Sequence, residues 1–380
     1  MTRMSIGALL LVVGMASAPG AQGVGADRSP VPAAREPAGA LAYDLAFDLH
    51  EFPWSSTIAI SRDGARAAYA IRRSPGNVNL SNRYMPNGTP SSVVGSQVYL
   101  KNQRGAPAVV VCPGGNCWAP SLSPDGATLV FFSDRDGPPQ LWAYDLAAQR
   151  SRRLSPARVK AKLWTGDEAQ WSPDSRTVFV PMAPDSGPGA WLPTPESAGP
   201  ASRPEGPTVS VLRGGSEEKK ATQAAAQTPR QEFYHRENNA AIGAVDVRSG
   251  TVRIVAPATA APRPSVMRLS ASGRWISYLS VFKDHGITNQ VSTVDLAVVP
   301  VGGGAPKVVA SDLPLLSDYH GRNYTWHPTE DALVYLKDGQ LWHVAMSASG
   351  PGTPRRLGES LGTLAPSLHW FTRDGKGVVV

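Results

Sequence analysis

Short apolar runs separated by tight-turn signals dominate the pattern of hydrophobic and polar positions along the chain. The clearest example begins at 121–126 (Ser-Leu-Ser-Pro-Asp-Gly) and continues with an apolar run at 129–132. A second Asp-Gly turn at 136–137, a Leu-Trp segment at 140–146 and a last apolar stretch ending at Leu154 complete the unit. Apolar runs alternating with Gly-containing turns in this way predict four short antiparallel strands.

The same unit recurs along the chain, and its period predicts the architecture. Its first half, an apolar strand entering a polar turn, is found at 60–64, 121–126, 171–175, 269–273, 326–330 and 371–375. Its second half returns at 97–100, 242–247, 291–296 and 340–344. A four-stranded unit repeated six times, about every 45 to 60 residues, predicts an all-β fold, a β-propeller of four-stranded blades. A β-sandwich is the alternative, but a sandwich does not require one motif at a regular period.

Two features interrupt this regular spacing. The interval between the turns at 173 and 271 contains the second half only once, so we expect one blade with an insertion at about 183–231, where Pro, Gly, Ala and Ser predominate. The sixth unit stops at 378–380, midway through a blade, and an open propeller would leave an unpaired strand edge. We therefore expect an incomplete propeller over 51–380, as a fragment or truncated reading frame of a longer protein.

The amino terminus predicts export. Arg3, an apolar run at 6–15 and small residues at 16–18 follow the layout of a secretory signal peptide, which we assign to 1–22 with the cleavage site left open. Residues 23–50 would then form a linker or entry segment. The apolar run is too short to cross a bilayer, and no later segment reaches about 18 apolar residues. We expect no membrane span and a periplasmic or secreted location.

The two cysteines, Cys112 and Cys117, lie close together on a Gly-containing loop. In an oxidising compartment this spacing favours a small structural disulfide. Free thiols are a second interpretation, and a redox pair or half of a metal site is a third. A four-ligand zinc site would need further ligands, and the neighbouring sequence supplies none.

Composition and charge exclude several classes of function. The chain has 37 Gly and 35 Pro among 380 residues and is 42% hydrophobic, which argues against a coiled coil and against overall disorder. The net charge of +7 comes from an Arg-rich set of cations that lie singly or in pairs along the chain rather than in a basic cluster. We therefore expect no nucleic-acid partner.

The sequence contains no self-contained catalytic site. Residues 358–362 match the nucleophile-elbow pattern Gly-x-Ser-x-Gly around Ser360, but they lie between two repeats with too little chain after them, so a linker turn is expected. The seven histidines include no pair four residues apart, and the glycines at 302–304 lie between two valine-rich strands. We expect no catalytic residue, no metal and no cofactor within these 380 residues.

One acidic pair is a candidate binding site. Asp167 and Glu168 lie just before Trp171, at the entrance to the third blade. In a partly desolvated pocket, two adjacent carboxylates would bind a cationic amine through charge-assisted hydrogen bonds. A solvated surface loop is the alternative interpretation of the same pair.

The repeat resembles a known family. The strand at 54–59 leading into the turn at 62–64, the Ser-Pro-Asp-Gly turns, the Leu-Trp strands and the segment 116–145 look like the amino-terminal propeller of bacterial prolyl oligopeptidase-family serine peptidases, including the dipeptidyl peptidase IV branch. The likeness extends over about 45–380. TolB-type periplasmic propellers use very similar Ser-Pro-Asp-Gly repeats.

The resemblance implies a substrate-gating propeller that caps a carboxy-terminal α/β-hydrolase domain with a Ser-Asp-His triad, where short peptides are cleaved. That domain is absent from these residues, so no triad member is assigned here. In the dipeptidyl peptidase IV branch, adjacent acidic residues hold the free amino terminus of the substrate, and Asp167 and Glu168 occupy a comparable place. The alternative functions are a TolB-like periplasmic protein-binding scaffold and a propeller hydrolase or lactonase with a metal in its channel.

Overall fold

The structure is a computed structural model. It describes residues 50–51, 58–73, 84–102, 107–112, 114–162, 169–183, 231, 235, 238–258, 264–284, 292–315, 324–358 and 370–379. All of these belong to one compact unit, Asp44–Val380. The predicted signal peptide at 1–22 and nearly all of the linker at 23–50 lie outside the described residues.

Strands, numbered in chain order, form six sheets. The first sheet contains β1 (His50–Glu51), β2 (Ala59–Ile60), β3 (Ala67–Arg73), β4 (Ser96–Lys101) and β5 (Val109–Val110). The second contains β6 (Cys117–Leu122), β7 (Thr128–Ser133), β8 (Gln140–Asp145) and β9 (Arg150–Arg158). The third contains β10 (Gln170–Trp171), β11 (Thr177–Met182), β12 (Ala241–Asp246) and β13 (Val252–Ala256).

The remaining three sheets continue the same order. The fourth contains β14 (Ser265–Leu269), β15 (Trp275–Lys283), β16 (Thr293–Pro300) and β17 (Lys307–Pro314). The fifth contains β18 (Tyr324–Trp326), β19 (Ala332–Lys337), β20 (Gln340–Ser347), β21 (Gly350–Pro351) and β22 (Arg355–Leu357). The sixth contains β23 (Trp370–Phe371) and β24 (Val378–Val379), and a 3-10 turn covers Ser91–Val93.

Each sheet is an antiparallel meander, in which a strand pairs with the strand that follows it. The four successive positions are called A, B, C and D here. In the first sheet β1 and β2 share one edge of β3, and in the fifth β21 and β22 share one edge of β20. This pairing follows from the sequence pattern, since each A–B pair is joined by the predicted polar turn.

The apolar core lies between neighbouring sheets. Phe179 and Ile242 of the third sheet cluster with Ile276, Tyr278 and Val299 of the fourth, and all five are almost completely buried. A second cluster joins the first three sheets and a third joins the fourth to the fifth. Sheets that bury equivalent faces against their neighbours in chain order are the blades of a propeller. The predicted all-β propeller of four-stranded blades is therefore confirmed.

The Ser-Pro-Asp-Gly turns close each A–B pair with a fixed set of hydrogen bonds. In the second blade Ser123 Oγ donates to Asp125 Oδ1 at 2.5 Å, and the Ala127 N–H donates to the same oxygen at 3.0 Å. The Thr128 N–H donates to Ser123 Oγ at 2.9 Å. The same bonds recur around Asp63, Asp174 and Asp374. The hydroxyl donor holds the pKa of each of these last three carboxyls below its usual range.

Successive A–B turns also contact one another. The Asp125 N–H donates to Ser175 Oγ at 3.1 Å, which joins the second turn to the third. His327 Nε2 lies 3.1 Å from the carbonyl oxygen of Gly375, which joins the fifth turn to the sixth. The Thr329 and Glu330 N–H groups lie within hydrogen-bonding distance of His327 Nδ1, so Nε2 carries the proton and donates.

The fourth turn is fixed from both sides. Gly273 has a φ of +74°, and a Cβ atom there would lie 2.5 Å from Pro173 Cδ of the third turn. On its other side, Ser272 Oγ donates to Asp331 Oδ2 at 2.6 Å, and Arg274 Nη2 lies 2.8 Å from the same oxygen. The A–B turns are thus linked from blade to blade.

A second set of contacts runs along the outer strands. Arg152 on β9 donates to the carbonyl oxygen of Val247 at 2.5 Å, and Arg253 on β13 donates to that of Val301 at 2.8 Å. Lys307 on β17 contacts a carbonyl oxygen in the C–D connection of the fifth blade. In each case a cation on a D strand donates to the C–D connection of the next blade. Part of the basic excess of the chain therefore serves to join blades.

Candidate functional site

The connections between strands differ sharply between the two ends of the blades. In an antiparallel meander, A–B and C–D connections lie at one end, the turn end, and B–C and D–A connections lie at the other, the loop end. Between the described strands, A–B pairs are separated by five or six residues and C–D pairs by at most seven, whereas B–C pairs are separated by two to 58 residues of sequence. Long segments able to build a site therefore collect at the loop end.

Both regions singled out from the sequence belong to connections at the loop end. β11 ends at Met182 and its partner β12 begins at Ala241, so the predicted insertion at 183–231 falls in one B–C connection. Asp167 and Glu168 fall in the D–A connection between β9 and β10. Residues 163–168 and 184–230 lie outside the described residues, so both assignments remain predictions.

A cavity lies at the loop end, between the first, second and third blades. Its volume is about 350 Å³, including the space open to solvent at its mouth. The enclosed space within it is only about 30 Å³, enough for about two water-sized groups. Its walls are formed by Tyr84, Asn87, Gly88, Pro138, Pro139, Arg158, Val159, Lys160, Ala161 and Ala183.

Backbone hydrogen bonds hold two walls of the cavity together. The Val159 N–H donates to the Pro139 carbonyl at 3.0 Å, and the Lys160 N–H donates to the Pro181 carbonyl at 2.9 Å. The Ala183 N–H donates to the carbonyl of Arg158, also at 3.0 Å. The segment that leaves β9 is therefore tied to the second and third blades at the same time.

The third wall, a tight loop in the first blade, is anchored by a buried carboxylate. Asp134 accepts a 2.6 Å bond from Thr89 Oγ1, a 3.3 Å bond from Asn87 Nδ2 and a 2.6 Å bond from Asn116 Nδ2. Asn87 Nδ2 also donates to the carbonyl of Gly137 at 3.0 Å. Because Asp134 follows β7 in the second blade, this network holds the loop against its neighbour.

The two cysteines lie beside this network. The structure joins Cys112 and Cys117 in a disulfide, and both residues are completely buried. The bridge spans the connection from the first blade to the second, and it flanks Asn116, whose N–H donates to Asp134 Oδ1 at 2.7 Å. The disulfide thus closes the short D–A connection that carries one of the donors to Asp134.

Charged and polar groups line the cavity unevenly. Lys160 is only 7% exposed, whereas Arg158 is exposed. The hydroxyl of Tyr84 is buried and has no hydrogen-bond partner among the described residues. A buried hydroxyl without a partner costs about 1–3 kcal/mol, so an occupant that bonds to it would gain free energy.

Sequence reasoning did not find this cavity. The sequence pattern did not single out Tyr84, Asp134 or Lys160. The usable signals were weak: an Asn-Gly pair at 87–88 that marks a tight loop, and an alternation of cations and small apolar residues at 158–162 (Arg-Val-Lys-Ala-Lys). The remaining motif, 358–362, has only Gly358 among the described residues.

No group of three or more His, Cys, Asp or Glu side chains that could hold a metal ion was found in the described part of the chain. Among those same residues, no helix is both long and apolar enough to cross a membrane.

No protein-family model matches the chain, and no curated protein matches it either. Among solved structures, it is similar to TolB from Acinetobacter baumannii, with 15% identity over 80% of this chain and 55% of that one and a TM-score of 0.37. It is also similar to a prolyl endopeptidase, with 11% identity over 80% of this chain and 37% of that one and a TM-score of 0.42. A third similar structure is an oligogalacturonate lyase in complex with manganese, with 14% identity over 85% of this chain and 69% of that one and a TM-score of 0.43. The chain thus spans about half of the TolB chain. Likenesses this distant carry no argument about function, and the fold rests on the strand pairing described above.

Proposed function

We propose that this chain is the non-catalytic, substrate-gating propeller of an exported serine peptidase that acts on short peptides. The supporting observation is the division between the two ends of the blades. The turn end is closed by short connections, whereas the 58 residues between β11 and β12, and the residues between β9 and β10 that include Asp167 and Glu168, are assigned to the loop end from their position between those strands. An end built from long, variable connections is suited to meet a partner domain and to select what enters between them.

Asp167 and Glu168 have a specific role in this proposal. Their carboxylates bind the protonated amino terminus of a peptide through charge-assisted hydrogen bonds. The catalytic groups belong to an α/β-hydrolase domain outside these 380 residues. The propeller itself admits short peptides and orients them by their charged end.

The first test is the mass and reactivity of the native gene product. It is treated with a fluorophosphonate probe, which labels an activated serine, and its intact mass is measured. A labelled species far above 40.2 kDa supports the proposal. An unlabelled product of 40.2 kDa or slightly less removes the peptidase assignment and leaves a TolB-like binding scaffold as the function.

The second test addresses the acidic pair. In the labelled enzyme, Asp167→Asn combined with Glu168→Gln should raise KM for dipeptide substrates with a free amine by about tenfold or more, since two charge-assisted hydrogen bonds are weakened. Substrates with an acetylated amino terminus provide the control, because they carry no positive charge. An equal change of KM for both kinds of substrate would contradict the assignment of this pair.

A further inference from the structure

The D strands form the outer edges of the blades. The A strands of neighbouring blades lie together, because Trp171 Nε1 donates to the carbonyl of Ser121 at 3.2 Å and the Tyr324 hydroxyl donates to that of Val266 at 2.5 Å. Each D strand lies at the opposite edge of its sheet from the A strand, so the D strands face outward.

Two positions on each D strand are equivalent from blade to blade. At the first position, Val109, Arg152, Arg253, Lys307 and Arg355 each pair with a C-strand residue, and these partners all lie at the same distance from the A–B turn of their blade. The second position is the residue that follows. All ten residues are exposed, and we call them the outer belt: Val109, Val110, Arg152, Arg153, Arg253, Ile254, Lys307, Val308, Arg355 and Arg356.

The outer belt combines six cations with four branched aliphatic residues and contains no acidic residue. Ile254 is 47% exposed and Val308 is 58% exposed, and each directly follows a cation in its strand. The other two aliphatic members are the valines of the first blade. A single exposed apolar side chain is ordinary, but four at equivalent positions form a repeated feature of the surface.

The cations of the outer belt are held at the surface without being neutralised. Arg152, Arg253 and Lys307 each donate to a carbonyl oxygen of the next blade, which fixes their positions and leaves their charge in place. Within the described part of the chain, no ion pair includes a member of the belt, and the Arg153 and Arg356 side chains form no hydrogen bond.

The carboxylates that end two of the C strands have cations of their own outside the belt. Asp145 lies opposite Arg150, and Asp246 lies close enough to Arg248 to interact with its charge. Both carboxylates also accept backbone N–H groups from their own C–D connections. The outer belt therefore presents an excess of positive charge together with apolar surface.

Several partners fit only one of these two properties. Charged residues on an edge strand prevent it from pairing with another sheet, but this role does not account for Ile254 and Val308. A second copy of this chain would place one cationic belt against another, and the two would repel. A soluble polyanion would bind the cations and leave the aliphatic side chains in water.

We propose that the outer belt is a docking surface for an anionic lipid membrane. Its cations contact the headgroup phosphates, which guanidinium groups bind through paired hydrogen bonds, and its aliphatic side chains enter the boundary between headgroups and acyl chains. The centre of the surface is formed by the third and fourth blades, where Arg253 and Ile254 neighbour Lys307 and Val308 across the bond to Val301. The surface does not depend on the proposed peptidase function, because it consists of described residues of this chain.

The experiment measures co-sedimentation of the purified chain with vesicles of phosphatidylcholine alone and of phosphatidylcholine mixed with an equal amount of phosphatidylglycerol. The protein should bind the mixed vesicles and not the neutral ones, and raising the salt from about 0.05 M to about 0.5 M should weaken binding at least about tenfold. A cation near an anionic membrane strengthens binding about fivefold, so Arg253→Gln combined with Lys307→Gln should weaken it about tenfold or more.

The matched control removes the same charge from the loop end. Arg135→Gln combined with Lys337→Gln changes a residue after β7 and the last residue of β19, and it should bind within about twofold of the wild type. Urea unfolding of every variant is measured first, because Arg253 and Lys307 also join blades. If that pair fails to fold, the salt dependence and the aliphatic variant still test the surface.

The aliphatic variant separates a membrane from a soluble polyanion. Ile254→Thr combined with Val308→Thr keeps the branched shape of both exposed side chains, and it should weaken binding to mixed vesicles about tenfold while leaving binding to poly-glutamate unchanged. Absence of binding to mixed vesicles, or an equal loss in the loop-end control, overturns the proposal. Unchanged vesicle binding in the aliphatic variant also overturns it and identifies a soluble polyanion as the partner.

Discussion

The contact between the fourth and fifth blades through Asp331 gives the sharpest prediction about stability. The side chain of Asp331 is 3% exposed, and it accepts bonds from the Ser272 N–H at 3.1 Å, from Ser272 Oγ at 2.6 Å and from Arg274 Nε at 2.9 Å. In Asp331→Asn, the negative charge is lost and one carboxylate oxygen becomes an NH2 group, which cannot accept the donors of that oxygen, while the remaining oxygen still accepts. A hydrogen bond to a charged group contributes about 1.5–3 kcal/mol to the free energy of unfolding. The ion pair with Arg274 adds little to this, because the Arg274 side chain is 65% exposed to solvent. We expect a loss of about 2–3 kcal/mol in the free energy of unfolding at pH 7.

The pH dependence of this loss follows from the pKa of Asp331. Burial alone would raise that pKa, but the bonds from Ser272 and Arg274 outweigh burial and lower it. A carboxyl whose pKa is lower in the folded state contributes stability above its unfolded pKa of about 3.9, and this contribution is lost as the pH falls through the folded value. The difference in the free energy of unfolding between the wild type and Asp331→Asn should therefore be largest above about pH 5 and should decrease below it.

Urea unfolding followed by tryptophan fluorescence measures both quantities, at neutral pH and near pH 3. Asp338→Asn is the matched control, because Asp338 is an exposed turn residue with a φ of +51°, a conformation that Asn accepts readily. It should leave the free energy of unfolding unchanged at both pH values. A loss for Asp331→Asn that is equal at both pH values, or no larger than that of the control, would refute the reasoning.

Two further predictions concern the turns and the disulfide. Gly273→Ala should lower the free energy of unfolding by about 2–4 kcal/mol, because it combines a positive φ with a Cβ contact to Pro173. Gly64→Ala, with a φ of +71° and open space around the added Cβ, should lower it by only about 1–2 kcal/mol. Chemical unfolding of the two variants tests the difference. The exported protein should be lighter than the reduced chain by the mass of two hydrogen atoms, and replacing Cys112 and Cys117 by Ser should cost about 2 kcal/mol for so short a loop; intact-mass measurement and unfolding check these two statements.

The blade strands and their turns could be predicted from the sequence because both are encoded locally. The second blade was predicted with an apolar run at 129–132 and a Leu-Trp strand at 140–146, and the structure has strands at Thr128–Ser133 and Gln140–Asp145. A Ser and an Asp two residues apart carry most of the turn's hydrogen bonds themselves, so the motif determines the conformation without tertiary help. Because this motif recurs six times at a similar spacing, few architectures can bury the apolar face of every copy.

Contacts between blades could not be predicted in the same way. Arg152 and Val247 are 95 positions apart, and nothing near either residue indicates the other. In the fifth turn a histidine replaces the usual serine, yet His327 accepts two backbone N–H groups through Nδ1 and also reaches the sixth blade. Such pairs depend on how two blades pack, and a single sequence contains no record of that packing.

The cavity escaped prediction for a related reason. Its walls come from four separate segments of the chain, and no two of them share a motif. Lys160 lies between two other cations, Arg158 and Lys162, and nothing in the sequence sets it apart from them. Only the backbone bonds that hold the segment after β9 between two blades reveal that it is buried. The acidic pair at Asp167 and Glu168 could be singled out because two adjacent carboxylates are visible in the sequence itself.

The unequal ends of the blades also indicate where function can arise in this fold. A residue of an A–B turn, such as Asp125, supports its own hairpin and bonds to the next one, so a change there disrupts two blades at once. Loop-closure entropy grows only with the logarithm of length, so extending a connection from 6 to 58 residues costs about 2 kcal/mol. The loop end can therefore acquire long segments and charged residues at little cost in stability, which is why both candidate sites are assigned to it.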